Sequence, residues 1–548
     1  MSTARASLFP AALLGITILA FASQNVFAAD SRASPDDPCP RPSAGSIITR
    51  PPDLFSRDGA LNVELEYLTA LDEAGRTLFC FRTPDGLVSP TLHVKPGDTL
   101  NLTVTNKVPS PPAGSPTEPV SDASTQCGDK TMTITSVNIH YHGTNTSPAC
   151  HRDEAIHTVI NSGRTFAYSL KFPLDQPPGL YWYHPHVHGI AEAAVQGGAS
   201  GAIIVDGIEN VQPLVSGLPE RILIIRDQSV AGEQSADASA PSWDVSLNYV
   251  PVPYPDYTPA VIQMNSDGEE FWRVANASAD TIIDLELQFD GVAQPLLVVG
   301  LDGVPTGSQD GTRRGKAVKR NDILIPPAGR AEFIVTGPSA RVRNATLATL
   351  NVNTGPVGDN DPERPLARIK TTDMTNRDPV IMPIPSSAPN SQQFEGLRDA
   401  PVSRHRRLYF SEVISDPTNP ASPTNFFITV DGAIPVLFDP KNPPAITTTQ
   451  GSVEDWTIEN RTGENHEFHM HQIHFELLKR NGVPVPEADQ QFLDVVEVPF
   501  WSGSGPYPNV KVRMDFRGMD IGDFVYHCHI LGHEDNGMMA IIRVLPRS

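Results

Sequence analysis

Ten of the sixteen histidines sit in four short clusters: His140-Tyr141-His142-Gly143, Trp182-Tyr183-His184-Pro185-His186, His466-Glu467-Phe468-His469-Met470-His471, and His527-Cys528-His529 followed by His533. On a β-strand, residues two apart point to the same face and lie about 6.6 Å apart along the chain. Each His-x-His pair therefore turns two imidazoles into one space. Imidazoles gathered in that way bind transition metals. One pair alone also suits a zinc ion, or a polar patch between strands with no metal. Four pairs supply eight imidazoles, more than a single ion accepts, so a cluster of metal ions is the economical reading.

The Cys528 segment is more specific. A thiolate, two imidazoles and a weak axial thioether form the ligand set of a blue-copper electron-transfer site. Cys528, His533 and Met538 supply three of these locally, and His466 is the candidate for the imidazole brought in from another strand. Because side chains alternate across a strand, Cys528 faces one side while His527 and His529 face the other. A copper on the cysteine side is thereby joined to the metal cluster by a short covalent path.

Such sites need strands to hold them. With 39% hydrophobic and 19% charged residues the chain is neither disordered nor fibrous, and 53 prolines with 40 glycines mark many turns between short elements. The reading is all-β. Alternating stretches such as Leu100-Asn101-Leu102-Thr103-Val104 and Ser169-Leu170-Lys171-Phe172 are half-buried strands. A chain of 548 residues needs several cores, and three sandwiches in series are assigned to 55–210, 215–372 and 405–548, with a linker rich in Pro, Ser and Asn at 373–404. Residues 1–28 read as an export signal: Arg5, an apolar run from Leu8 to Ala22, then small residues near Ala28. No comparable run recurs, which argues against stable membrane insertion after cleavage, so a secreted or periplasmic location is expected. Outside the cytoplasm Cys39, Cys80, Cys127 and Cys150 pair in one of three ways, of which 39–80 with 127–150 closes the shorter loops. A net charge of −22 with no Lys/Arg-rich run excludes nucleic acid as a partner.

The four histidine segments resemble the copper-binding signatures of the multicopper oxidases, the family of laccases, ascorbate oxidases, bilirubin oxidases and cuprous oxidases. The resemblance covers the motifs at both ends and, more loosely, the three-domain length, with a middle block that carries no copper signature. It implies three consecutive cupredoxin-like Greek-key β-sandwich domains and about four coppers per chain. One, type 1, would be held by His466, Cys528 and His533 with Met538 axial; one, type 2, by His140 and His469; and a type 3 pair by His142, His184, His186, His471, His527 and His529. The trinuclear cluster would lie between the first and third domains. Two departures stand out. Glu467 occupies a position where many members have proline, and is either a carboxylate near the blue copper that lowers its potential or a solvated loop residue. Met538, in place of Leu or Phe, resembles the lower-potential members.

Reduction of dioxygen to water consumes protons as well as electrons, so acids must stand near the cluster. Asp153, at the spacing after His142 where family members place such an acid, and Glu534, directly after His533, are the candidates; the alternative is that both are ordinary surface acids. His93, His151, His157, His188, His405 and His474 read as packed or exposed, and Met470 as core. The functional expectation is a laccase-like enzyme that couples one-electron oxidation of phenols or aromatic amines, at an outer rim near His466, to the reduction of O2. Its partners would be a small-molecule reducing substrate and O2. The nearest rival, an oxidase of Cu(I) or Fe(II), often carries a methionine-rich segment, whereas the ten methionines here are scattered. A copper-storage or copper-tolerance protein would need no thiolate wire, and a copper nitrite reductase has no binuclear pair.

Overall fold

Strict alternation of apolar and polar residues produces strands with one wet face. Thr99–Asn106 and Thr165–Lys171 each bury every second side chain and pair antiparallel in full register. Other strands are buried throughout, as in Gly179–His184, because both of their faces are covered. The computed structural model describes residues 37–121, 125–231, 240–372, 394–416, 418–419 and 422–547. The expected leader, 1–28, lies outside the described residues, as does 373–393 of the expected linker.

The fold is all-β, three cupredoxin-like sandwiches in succession. The first pairs a five-stranded sheet, which contains Thr91–Val94, Gly201–Val205, Gly179–His184 and His140–His142, with a four-stranded sheet built on Ala60–Leu71 and Thr99–Asn106. The second pairs an eight-stranded with a six-stranded sheet, and the third a seven-stranded with a five-stranded sheet. That last sheet holds His466–Met470 beside Gly522–Cys528, with Phe468 opposite Cys528 and His469 opposite His527. Each sandwich encloses its own apolar core. The outer face of Gly179–His184 is covered by the second sandwich, where Leu180 and Trp182 pack on Ile222, Ile224 and Ala277. Burial of one such aliphatic side chain contributes roughly 1.5–3 kcal/mol.

Helices are short. Ala191–Gln196 and Leu531–Asp535 pack together through Ala191, Val195 and Leu531, with Ala279 of the second sandwich between them. No helix of the described residues is long and apolar enough to cross a membrane. Disulfides join Cys39 to Cys80 and Cys127 to Cys150, the connectivity that closes the shorter loops. Phe394 and Leu397, within the expected linker, are buried against Val304 and Val453.

His93 ties the edge of the first sheet. Its Nδ1 lies 3.0 Å from Asp206 Oδ1 and its Nε2 3.2 Å from Asp53 Oδ1. Burial opposes its charge, but the two carboxylates prevail and its pKa is raised. A raised folded pKa gives a contribution that is complete below the unfolded value, about 6.5, and is lost as pH rises through the folded value. The Tm advantage of the parent over His93→Gln is therefore expected to shrink from mildly acidic to alkaline pH. A constant difference across that range would remove the ion-pair account.

Candidate metal centres

The ten clustered histidines and Cys528 of the sequence motifs come together in two buried places. In the larger, three groups of imidazole nitrogens each converge: His142, His184 and His529; His186, His471 and His527; and His140 with His469, which also share His142. The rings of His140 and His471 stack at 3.8 Å and those of His142 and His469 at 4.0 Å, so strands of the first and third sandwiches interleave their histidines. All eight are at most 1% exposed.

Which nitrogen of each ring faces inward is set from behind. His140 Nδ1–H donates to Asp153 Oδ1 at 2.9 Å, His184 Nδ1–H to the Pro185 carbonyl at 2.8 Å, His469 Nδ1–H to the Asp494 carbonyl at 2.7 Å and His527 Nδ1–H to the Cys528 carbonyl at 2.8 Å. His142 is reversed, donating from Nε2 to Asp494 Oδ1 at 3.1 Å. The opposite nitrogens of His140, His142, His184 and His469, and both of His529, have no hydrogen-bond partner although buried. The Nε2 atoms of His186 and His471 lie 3.3 and 3.1 Å from His527 Nε2. Burial first, and then neighbouring imidazoles, hold most of these rings well below the usual pKa. Neutral imidazoles with convergent lone pairs are the metal-binding form. The donor set fits copper.

The second place surrounds Cys528. Alternation along Gly522–Cys528 sends Phe524, Tyr526 and Cys528 into the third core and His527 to the opposite face. The Cys528 sulfur lies 3.6 Å from His466 Nδ1 and 3.7 Å from His533 Nδ1, and these two nitrogens are 3.0 Å apart. Met538 is fully buried in the same core; its carbonyl accepts the Cys528 N–H at 3.1 Å and its own N–H donates to the His533 carbonyl at 3.0 Å. The Glu467 N–H points at the sulfur, 3.3 Å away.

Models of the family described as multicopper oxidase match residues 132–210 and 413–548, the segments that carry both places. A multicopper oxidase of Staphylococcus haemolyticus is 24% identical over 471 residues, 84% of this chain and 82% of its own. A laccase of Bacillus subtilis is 25% identical over 403 residues, 67% of this chain and 71% of its own. The solved structure of a multicopper oxidase from Campylobacter jejuni, described as a metallo-oxidase, is similar with a TM-score of 0.66 at 22% identity, over 93% of this chain and 97% of that one. The chain belongs to the multicopper oxidase family. It is thus a copper-dependent oxidoreductase that takes O2 as acceptor and a small molecule as donor.

In this multicopper oxidase the two acids singled out from sequence are interior, not surface, groups. Asp153 is 1% exposed; its Oδ1 also accepts the Tyr141 N–H at 3.0 Å, and its Oδ2 the Gln472 amide at 2.7 Å. Glu534 is fully buried, with its oxygens 3.8 Å from His186 Nδ1 and 3.6 Å from His527 Nδ1. Burial raises both carboxyl groups well above the ordinary range, aided at Glu534 by Asp535. Glu467 is not a solvated loop residue either: it lies within the strand His466–Met470, fully buried, and burial together with Glu497 raises its carboxyl group.

His466 itself does not face outward, because its ring is fully buried with Nε2 2.8 Å from the Thr462 hydroxyl. The outward ring is His533, 9% exposed, whose Nε2 lies 3.5 Å from Glu464 Oε1. It rides on the short helix Leu531–Asp535, which leaves it slightly more open than His466. Burial lowers its pKa, but the Cys528 sulfur and Glu464 outweigh that and hold it well above the usual value. Among the spare histidines, His405 is exposed and His93 and His157 pair with carboxylates, whereas His474 belongs to the shell behind the ligands, its Nε2 2.9 Å from the Asp302 carbonyl.

Asp494, Arg330, Asp302 and Glu464 were not reached from motif spacing. The one signal was a charge inside an apolar run, Phe492-Leu493-Asp494-Val495-Val496. Replacing Asp153 by Ala removes the acceptor behind His140 and is expected to weaken copper retention about 10–100-fold. Competition with a chelator measures this, and undiminished retention would show that His140 is held without Asp153.

Proposed function

We propose that this multicopper oxidase is laccase-like, oxidising phenols or aromatic amines one electron at a time at His533 and reducing O2 to water at the histidine centre. The observation that carries it is the place of Cys528, its sulfur 3.6 and 3.7 Å from two ring nitrogens while both chain neighbours belong to the other centre. His466, Cys528 and His533, together with Met538, would hold a type 1 copper; His140 and His469 a type 2 copper; and His142, His184 and His529 with His186, His471 and His527 a type 3 pair. Copper at these sites supplies the one-electron steps and the binding of O2.

The residues of the chain have separable roles in this scheme. The peptide bonds on either side of Cys528 span the two centres. Asp153 and Glu534, whose carboxyl groups burial shifts toward the protonated form, would relay protons to the oxygen being reduced. At the donor side, Phe426 stacks on His533 at 4.2 Å, and Ile434, Val436 and Leu437 form an exposed apolar edge, Leu437 lying against Gly537. A flat aromatic donor suits that surface. Glu464, beside His533, would take the proton that a phenol or aromatic amine loses with its electron. Two disulfides accord with a secreted or periplasmic location.

A metal-ion reading has one observation in its favour: Glu412 is hydrogen-bonded to Glu464, and the two carboxyl groups together suit a cation. Assays of O2 uptake with a phenol and with Cu(I) or Fe(II) rank the two. The expectation is a higher kcat/KM for the phenol, with Glu464→Gln lowering it about 10-fold or more; turnover of the metal ions alone would favour the second reading. Copper-loaded protein should be intensely blue with about four coppers per chain, and Cys528→Ser should be colourless with about three. A colourless parent protein would end the proposal.

A further inference from the structure

The middle block carries none of the clustered histidines, yet one of its side chains reaches behind them. Arg330 is nine-tenths and more buried, and its guanidinium closes on both oxygens of Asp494: Nη1 donates to Oδ1 at 2.7 Å and Nη2 to Oδ2. Asp494 Oδ1 accepts the Nε2–H of His142, and the Asp494 carbonyl accepts the Nδ1–H of His469. One buried residue of the third block thus sets the ring orientation of two imidazoles, one from each outer block. Asp302, also of the middle block, grips the backbone of both partners: its Oδ1 accepts the Arg330 N–H at 2.9 Å and its Oδ2 the Asp494 N–H at 3.2 Å. The first block leaves room for the pair. Gly143, with φ of +80°, directly follows His142, and a Cβ there would stand 2.4 Å from Arg330 Nη2 and 2.5 Å from Asp494 Oδ2.

We propose that Arg330 is a positioning residue of the trinuclear centre, acting through Asp494 to orient His142 and His469. A guanidinium offers a rigid planar fork, and engagement of both carboxylate oxygens fixes the plane of the carboxylate. With that plane fixed, the Asp494 Oδ1 lone pair stays aimed at His142 Nε2–H, and the His142 Nδ1 lone pair stays aimed inward. The same clamp locks the backbone turn whose carbonyl faces His469. A lysine would keep the charge but not the plane. The middle block is therefore part of the centre and not a spacer between its two halves.

The inference rests on the ligand assignment proposed above, and the test separates the two. Full-length Arg330→Lys and Arg330→Met are loaded with copper and compared with the parent by chelator competition, by the type 2 electron paramagnetic resonance signal and by the blue absorption of the Cys528 site. The expectation is copper retention in the trinuclear centre weakened about 10–100-fold in Arg330→Met, a smaller loss in Arg330→Lys, an altered type 2 signal in both, and an unchanged blue band. Should Arg330→Met fail to accumulate, Arg330→Lys decides, since it preserves charge and burial. Parent-like retention and type 2 signal in Arg330→Lys, or loss of the blue site in equal proportion, overturns the proposal. A parent protein that binds no copper at the histidines overturns the ligand assignment instead.

Discussion

Everything at the centre of this molecule follows from the cost of aiming buried lone pairs at one another. An imidazole nitrogen without a hydrogen-bond partner in a dry interior costs about 1–3 kcal/mol, and the histidine centre gathers several such nitrogens, on His140, His142, His184, His469 and His529. Nothing in that group relieves the repulsion from within, so the rings are held from outside. Each acceptor behind a ring, whether the Asp153 carboxylate, the Asp494 carboxylate or the carbonyls of Pro185, Asp494 and Cys528, takes one N–H and turns the other nitrogen toward the centre. A cluster of metal ions would satisfy all of them at once, which is why the arrangement is coherent as a metal site.

The sandwiches exist to keep that frame rigid from several directions. A single sheet directs its alternate side chains to two faces, and here the two faces do different work. In Gly522–Cys528 the even positions fill the third core and deliver Cys528 to His466, while His527 turns to the first sandwich. In Gly179–His184 Tyr181 and Tyr183 enter the first core, while Trp182 and His184 turn outward, with their rings stacked at 4.1 Å. A strand buried on both faces has lost the alternation of polarity that normally sets register. The paired tyrosines, the flanking histidines and the backbone ladder must set it in its place.

That division also explains what could be read from residues alone. The histidine pairs, Cys528 and the two-faced logic of the strand are local in sequence, so their spacing already implied two centres joined through one residue. Asp153 and Glu534 lay close enough to ligands to be singled out. Asp494 did not, since it stands 23 residues beyond His471 in sequence, its importance comes from a carbonyl as much as a carboxylate, and its partner Arg330 comes from another sandwich. Nor did the sequence distinguish the fully buried His466 from the slightly more open His533; that depends on which of the two rides on a strand and which on the short helix.

Glu467 shows how a departure in the motif acts through a different atom from the one that draws attention. As a carboxylate next to the blue site it would favour the oxidised metal. Burial and the neighbouring Glu497 raise its pKa well above the ordinary range, which works against the charged form that such a Coulombic effect needs. What remains is the main chain. A proline at this position has no N–H, whereas the Glu467 N–H lies 3.3 Å from the Cys528 sulfur, and a donor to the sulfur withdraws electron density from it and raises the potential. Met538, as a thioether ligand of the proposed type 1 site, would pull the other way. In the proposed type 1 site the two departures from the family motif would therefore oppose each other, a backbone hydrogen bond to the sulfur against a thioether ligand.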